Sequence, residues 1–490
     1  MELCHTNFEM RSPAIEKLGQ FIQEWRTHWE KSAPDYERFE HELHEQINPI
    51  ECEMLTEELA RYDVAVEPIE VDGVTYRQAL TASETYLTAA GNVSLKRHLY
   101  RPTGRGSRSI CPLELRAGII GGYWTPRAAR QAAFGMAHLT AAEDSTAQFV
   151  ELEGMRPSRA SLDRLPKALS AHWEEHRQAW ENALRANENL PEQAQVIALS
   201  VDGVTVRMQN EGGSIQRDQP GKHSSGPLGQ REAGCATVVW YDTEGERLHT
   251  VRYGRMPEHG KVILRQQIAA EASQTLAKQP NLRRVLLADG AEPNWSILAE
   301  VDQACGPASQ PSVPIVDFYH ACDHLKEGCD AAWGESTPRS KAEFERLKIL
   351  LKEDVQGVDR IMHMLKYHRG RTKGNPRKRL ETQLTYFRNQ QHRMHYPAYL
   401  LDNLPIASGV MEASCKTLVT QRMKQSGMTW TKPGGQAILT LRSLIQSDRW
   451  QSAWELLRSD FTRTVTVHPL ESTARSSFVQ LDPSNLPLAG

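Results

Sequence analysis

The sequence predicts an α/β protein (α+β overall) organised around a mixed sheet, and three observations carry that prediction. Val196, Ile197, Ala198, Leu199 and Val201 form an apolar run without helical spacing that closes on Asp202-Gly203, after which Val204 and Val206 resume a strand's alternation. Arg283-Arg284-Val285-Leu286-Leu287-Ala288-Asp289-Gly290 repeats the pattern. Shorter strand-like runs at 235–241, 247–253 and 313–317 alternate with helical patterns from Val262 to Leu276 and from Pro293 onward. Three strands, a helix, a strand, a helix and a last strand are the order of an RNase H-like core, in which the two aspartates lie on adjacent central strands.

Taken in order, residues 1–75 form an acidic N-terminal helical region, with Trp25, Trp29, Leu43, Ile47, Leu55 and Leu59 near helical spacing. Residues 76–180 read as a β-hairpin, turning at Gly91-Asn92, followed by a helix-turn-helix DNA-binding domain. Its helices start at Thr125-Pro126, at Ala141 and at Ser158, and Pro166 is expected to kink or end the third. Residues 195–318 hold the first part of the core, with a Gly-, Ser- and Pro-rich loop expected over 210–234. A basic helical insertion follows at 319–403, the final core helices at 404–455, and a tail without motifs at 456–490.

Composition narrows the function. With 39% apolar and 24% charged residues the chain is ordinary globular protein, and no run of 18 apolar residues marks a membrane span. The N-terminus lacks an apolar signal region, so the expected compartment is the cytoplasm. Eight scattered cysteines without a C-x-x-C pair exclude a zinc ribbon and a disulfide framework. Net charge is only −3, yet between Arg360 and Arg393 ten Lys or Arg face a single acid, Glu381. That imbalance points to a polyanion, with Arg371, Lys373, Arg377, Lys378 and Arg379 its expected contacts.

A lone carboxylate among buried strand residues is costly unless a cation offsets it, and a metal ion is one such partner. Asp-Gly between alternating apolar residues is equally a hairpin signal, so Asp202 alone admits a turn; Asp289, followed by Ala-Glu-Pro-Asn-Trp, fits a helix start instead. In this fold the third acid belongs on a helix after the fifth strand, and Glu412, in the first turn of the pattern opened by Gly409, is placed there. Lys416, Arg422 and Lys424 follow as cations near the path of phosphates.

The segments LSVDG, LLADGAEPNW, VDFYHACDHL and LPIASGVMEASCKTLVTQRMKQSGMTW resemble motifs of the ISKra-type insertion-sequence transposases, which are DDE enzymes. The likeness runs from CPLE at 111–114 to GQAILTLRSLIQSDRW, roughly residues 80–455. It implies Asp202, Asp289 and Glu412 as catalytic and metal-binding residues, holding Mg²⁺ with Mn²⁺ as a substitute. Asp317-Phe318-Tyr319-His320 resembles an Asp-two-His signature and implies a supporting role for His320. The expected partners are double-stranded DNA, both element ends and target, and a second copy of the chain in a dimer or higher oligomer, with no membrane. Arg159 and Arg164 are the expected contacts of the helix-turn-helix, and Trp430 is a candidate stacking surface for an unpaired base; Trp295 fits a core position better. The rival readings are an RNase H-like nuclease without strand transfer and a catalytically silent DNA-binding regulator.

Overall fold

A computed structural model describes residues 13–29, 35–65, 67–104, 108–139, 142–152, 154–209, 229–307 and 310–468. It divides into two compact units, Met1–Ala128 with Ser459–Gly490, and Ala129–Arg458. The boundary falls within the 76–180 stretch, so the hairpin and the bulk of the three helices after it belong to different units.

In the first unit, α1 (Pro13–Trp29) and α2 (Tyr36–Ala60) meet through Phe21, Trp25 and Phe39, whose rings lie 5.2 to 6.2 Å apart. Strand β1 (Ile69–Val71) turns through Asp72 and Gly73, both at positive φ, into β2 (Val74–Leu87). This is the two-residue hairpin that Asp-Gly favours. The N-terminal region is therefore not wholly helical. β2 pairs antiparallel with β3 (Asn92–Pro102), and α3 (Pro112–Ala117) follows. On its other edge β1 pairs with Thr466–Val467, so part of the tail is sheet. The remainder of the tail, from 469, lies outside the described residues.

The second unit opens with α4 (Pro126–His138), α5 (Ala142–Glu151) and α6 (Arg159–Asn187). Ser158 caps α6 by accepting from the Ser161 amide at 3.1 Å. The helix continues through Pro166, against expectation. Leu162, Leu165, Leu169 and Trp173 bury one continuous face, and that packing offsets the roughly 3 kcal/mol that an interior proline costs.

The five-stranded sheet has the order β6-β5-β4-β7-β8. Its strands are β4 (Val196–Arg207), β5 (Gln230–Tyr241), β6 (Arg247–Arg255), β7 (Arg283–Ala288) and β8 (Val313–Val316). The first three run antiparallel in sequence, while β7 and β8 run parallel to β4. This is the RNase H-like topology. β4 passes through Asp202-Gly203 without turning, so the hairpin reading fails. β5 takes in Gln230 to Gly234, the end of the expected loop; 210–228 lie outside the described residues. Helices α7 (Val262–Lys278) and α8 (Glu292–Ala304) cross between strands, and the core is the apolar set of the sheet with Leu264, Ile268, Trp295 and Leu298.

The insertion is α9 (Phe318–Trp333), α10 (Pro338–Glu353), α11 (Gly357–Arg371), α12 (Gly374–Gln390) and α13 (Tyr396–Leu401). After it come α14 (Gly409–Ser414), a π-helical turn at Cys415–Thr420, α15 (Gln421–Met423), α16 (Lys432–Gln446) and α17 (Trp450–Phe461). Buried Arg442 ties this end together: its Nε donates to the Thr417 carbonyl at 3.0 Å, and Nη1 donates to the Ala137 carbonyl at the end of α4. Among the described residues no helix is long and apolar enough to cross a membrane.

Candidate acidic site

Parallel pairing of β4 with β7 runs from Val196↔Arg283 to Ser200↔Leu287, and of β7 with β8 to Ala288↔Val316. Two residues further along β4 and β7, and one along β8, the same register sets Asp202, Asp289 and Asp317 level with one another. Strand alternation puts Asp202 on the face of Ser200 and Asp289 on the face of Leu287, its partner. Both carboxylates therefore leave the same face, just past the stretch over which β4 and β7 pair in parallel. A Cβ on Gly203 would fall 2.3 Å from the Glu232 side chain.

Asp202 Oδ1 accepts from the Gly203 amide at 2.7 Å, and Oδ2 lies 3.6 Å from Cys415 Sγ. Burial, and after it the charge of Asp289, hold the Asp202 carboxyl above its usual range. Asp289 Oδ1 accepts from the Ala291 amide at 2.9 Å and from Asn294 Nδ2 at 3.2 Å, which fixes it against the start of α8. Asp317 is spent on structure: it is 5% exposed, caps α9 by accepting from the His320 amide at 2.7 Å, and accepts from the Ser408 amide. That last bond anchors the approach to α14.

Glu412 sits in the first turn of α14 and is exposed. The helix lies over the face that carries Asp202: Thr237, cross-strand from Ser200, places its hydroxyl 3.8 Å from Met411 Sδ, and Cys415 reaches Asp202 itself. Glu412 is three residues before Cys415, on the same side of the helix. Among the described residues the three acids do not bring one oxygen each within 4.8 Å of one another. All three side chains are carboxylates, the oxygen donors that hard divalent ions take.

The insertion supports this site from behind. Tyr386 on α12 donates its hydroxyl to the Asp289 carbonyl at 3.3 Å, and Gln390 Nε2 donates to the Gly290 carbonyl at 2.9 Å. Gly290 has φ 99°, and a Cβ there would stand 3.0 Å from the Tyr386 ring, so the turn requires glycine. His324 stacks on Tyr386 at 3.5 Å with its Nδ1 2.6 Å from Gln383 Oε1, and burial lowers its pKa. His320 joins this group edge-on, 5.0 Å from His324 and 6.2 Å from Tyr386. Its ring belongs to the Tyr386 stack, and no hydrogen bond of that ring to an acid is present among the described residues.

The cations sort into two groups. Arg360, Arg369 and Arg379 are paired with Asp354, Glu381 and Glu327, so Arg379 is an internal ion-pair partner rather than an open contact. Arg371, Lys373, Arg377 and Lys378 cluster exposed where α11 meets α12, with no acid in ion-pair distance among the described residues. Arg159, Arg164, Lys416 and Lys424 are exposed as expected, whereas Arg422 is only 4% exposed. Trp295 is buried beneath Arg393, whose guanidinium lies 4.0 Å from the ring; Trp430 is half-buried. Lys261, Cys415, Tyr386 and Gln390 went unnoticed in the sequence. Lys261 has positive φ (48°), sets Nζ 2.7 Å from Glu232 and 3.4 Å from Asn294, and its charge favours ionised Asp202. A residue strained in this way at a polar site was legible only once folded.

No protein-family model matches the chain, and no curated protein does. Among solved structures, a Mos1 transposase paired-end complex with left transposon end is similar at 13% identity, over 58% of this chain and 97% of that one. The TM-score is 0.15, so it is the strand order and register that identify the fold.

Proposed function

We propose that the chain is a DNA transposase of the ISKra insertion-sequence type, which cuts at element ends and joins the freed ends to target DNA. The observation that carries this reading is the level placement of Asp202 and Asp289 on adjacent strands of an RNase H-like sheet, under the helix of Glu412. Asp202, Asp289 and Glu412 are the residues that would hold two Mg²⁺, which when bound supply the charge that steadies the attacking and leaving oxygens of an in-line displacement. Asn294 and the Ala291 amide orient Asp289; the Gly203 amide orients Asp202. Lys261 adds a fixed cation beside the strand ends. The exposed tip at Arg371, Lys373, Arg377 and Lys378 grips the phosphate backbone, and α4–α6 with Arg159 and Arg164 read the terminal repeats of double-stranded DNA. Two ends must be brought together, which makes a dimer or higher oligomer on DNA the working form.

The test is an assay with DNA flanking the gene, in which Mg²⁺-dependent nicking at the element end and joined products are both scored. Joined products are expected. Changing the four tip cations to Gln should lower the slope of log K against log salt by about 3 to 4, since each phosphate a protein neutralises contributes near 0.9. Nicking without joining would leave a nuclease. An absence of metal-dependent cutting would refute the proposal.

Tyr386→Phe offers a finer check. It keeps the stack on His324 but loses the hydroxyl bond to the Asp289 carbonyl. Positioning partners of this kind are worth 10- to 100-fold, so kcat for cleavage should fall about tenfold with KM for DNA unchanged. An unaltered kcat would detach α12 from the chemistry.

A further inference from the structure

A second cleft lies in the same unit, away from the carboxylates, walled by α4, α6, the end of β4 and the stretch from Arg422 to Ile438. Its volume is about 330 Å³, room for one nucleotide. Trp430 is held there from three sides. Its amide donates to the Arg207 carbonyl at 2.9 Å, its carbonyl accepts from the Gln209 amide at 2.7 Å, and its indole Nε1 donates to the Met423 carbonyl at 2.9 Å. The ring is thus fixed in place as part of the wall while remaining half-exposed.

Arg422 lies 5.4 Å from the Trp430 ring centroid. Its Nε donates to the Met136 carbonyl at 3.3 Å, while its terminal nitrogens have no protein partner among the described residues. No carboxylate among those residues stands within the 4.0 Å of an ion pair. Burial, and then the nearby charge of Arg442, pull its guanidinium down to about 10. Asp144 and Asp163 favour the charged guanidinium from beyond ion-pair distance, and a phosphate is the anion whose oxygens match a guanidinium fork. Arg159 and Lys167 add two cations to the lining, against one acid, Asp163, among its described residues. The first turn of α16, capped by Thr431, also faces the cleft through Gly434 and contributes the positive end of a 15-residue helix.

We propose that this cleft takes one unpaired nucleotide of a DNA strand, its base against Trp430 and its phosphate against Arg422 and Lys167. An aromatic plane beside a buried guanidinium accepts any base, because stacking reads the π-face and not the edge. The proposal deepens the transposase reading and rests on it for the identity of the strand. Six residue steps of strand β4 and its continuation separate Met208, which pairs with Trp430, from Asp202, about 20 Å at 3.3 Å per residue.

Photo-crosslinking of the whole chain, without added metal, to a short single strand bearing one 5-iododeoxyuridine tests this directly. The crosslink is expected in the peptide that contains Trp430, and unlabelled single strand should compete at least tenfold better than blunt duplex or free thymidine monophosphate. Trp430→Phe should retain crosslinking within about threefold and Trp430→Ala should lose about tenfold or more. Crosslinks confined to other peptides, or a duplex or mononucleotide that competes as well as the strand, would overturn it. Because no cleavage is read, a chain that crosslinks at Trp430 but never cuts would keep the cleft and sink the transposase reading; a chain that cuts without the crosslink would do the reverse.

Discussion

Asp202→Asn is expected to abolish Mg²⁺-dependent DNA cleavage, by about a thousandfold or more, and at the same time to raise the melting temperature of the metal-free protein. The two effects share one cause. Asp202 is held among buried strand residues, level with Asp289, and its carboxyl is pushed upward first by burial and then by that neighbouring charge. Because its folded pKa lies above the unfolded one, the ionised group works against folding at neutral pH, and the neutral isostere removes the penalty. Loss of an acid that orders a metal pair removes stabilisation made only in the transition state. A rise on the order of 1–3 °C, read by calorimetry, should accompany the dead enzyme. A variant that still cuts refutes the site, whereas one that is dead and less stable refutes the electrostatic account.

The largest effect on stability should come from Arg449→Met. Arg449 is 6% exposed and donates to Glu271 at 2.6 and 2.9 Å, to the Tyr253 hydroxyl at 3.1 Å, and to Glu188 at 3.1 Å. Arg185 approaches Glu271 only to 3.8 Å, too far to replace those bonds. Removing the cation strands a buried carboxylate, a loss of about 3 kcal/mol or more and a melting temperature lower by on the order of 5 °C. The pH dependence should change as well. Burial opposes ionisation of Glu188, but hydrogen bonds from His249 and Arg449 win and hold it at about 2 against an ordinary 4.5. A depressed folded pKa contributes stability that is complete above 4.5 and is lost as pH falls toward 2. The variant should therefore show a flatter acid limb between those values in melts across pH. An unchanged limb would place the stabilisation of Glu188 elsewhere.

Much of the core was legible because its signals are local. Each apolar run before Asp-Gly announces a buried strand within a few residues, and the two runs with the strands and helix between them fix a topology with few alternatives. The helical placement of Glu412 was likewise readable from Gly409 and the first turn after it. What escaped depends on partners far away in the chain. Thr466 and Val467 become strand only because β1 has an open edge. Pro166 stays helical because the face around it is covered. The Asp-Gly ambiguity at Asp202 is decided by β5, which matches β4 residue for residue through the bend that a hairpin would need. Arg379 and Arg422 look identical to their exposed neighbours in sequence, and only Glu327 and the wall of a cleft distinguish them. Tyr386 carries no motif: its meaning lies in a carbonyl 97 residues away.

That helix has a mechanical consequence. α12 begins at the cationic tip and ends with its grip on the Asp289–Gly290 turn, and a stiff rod advances only about 1.5 Å per residue, so Arg377 and Tyr386 are separated by roughly 14 Å of rigid backbone. On the transposase proposal, a strand held at the cationic end of this rod would be coupled through it to the backbone turn that carries Asp289.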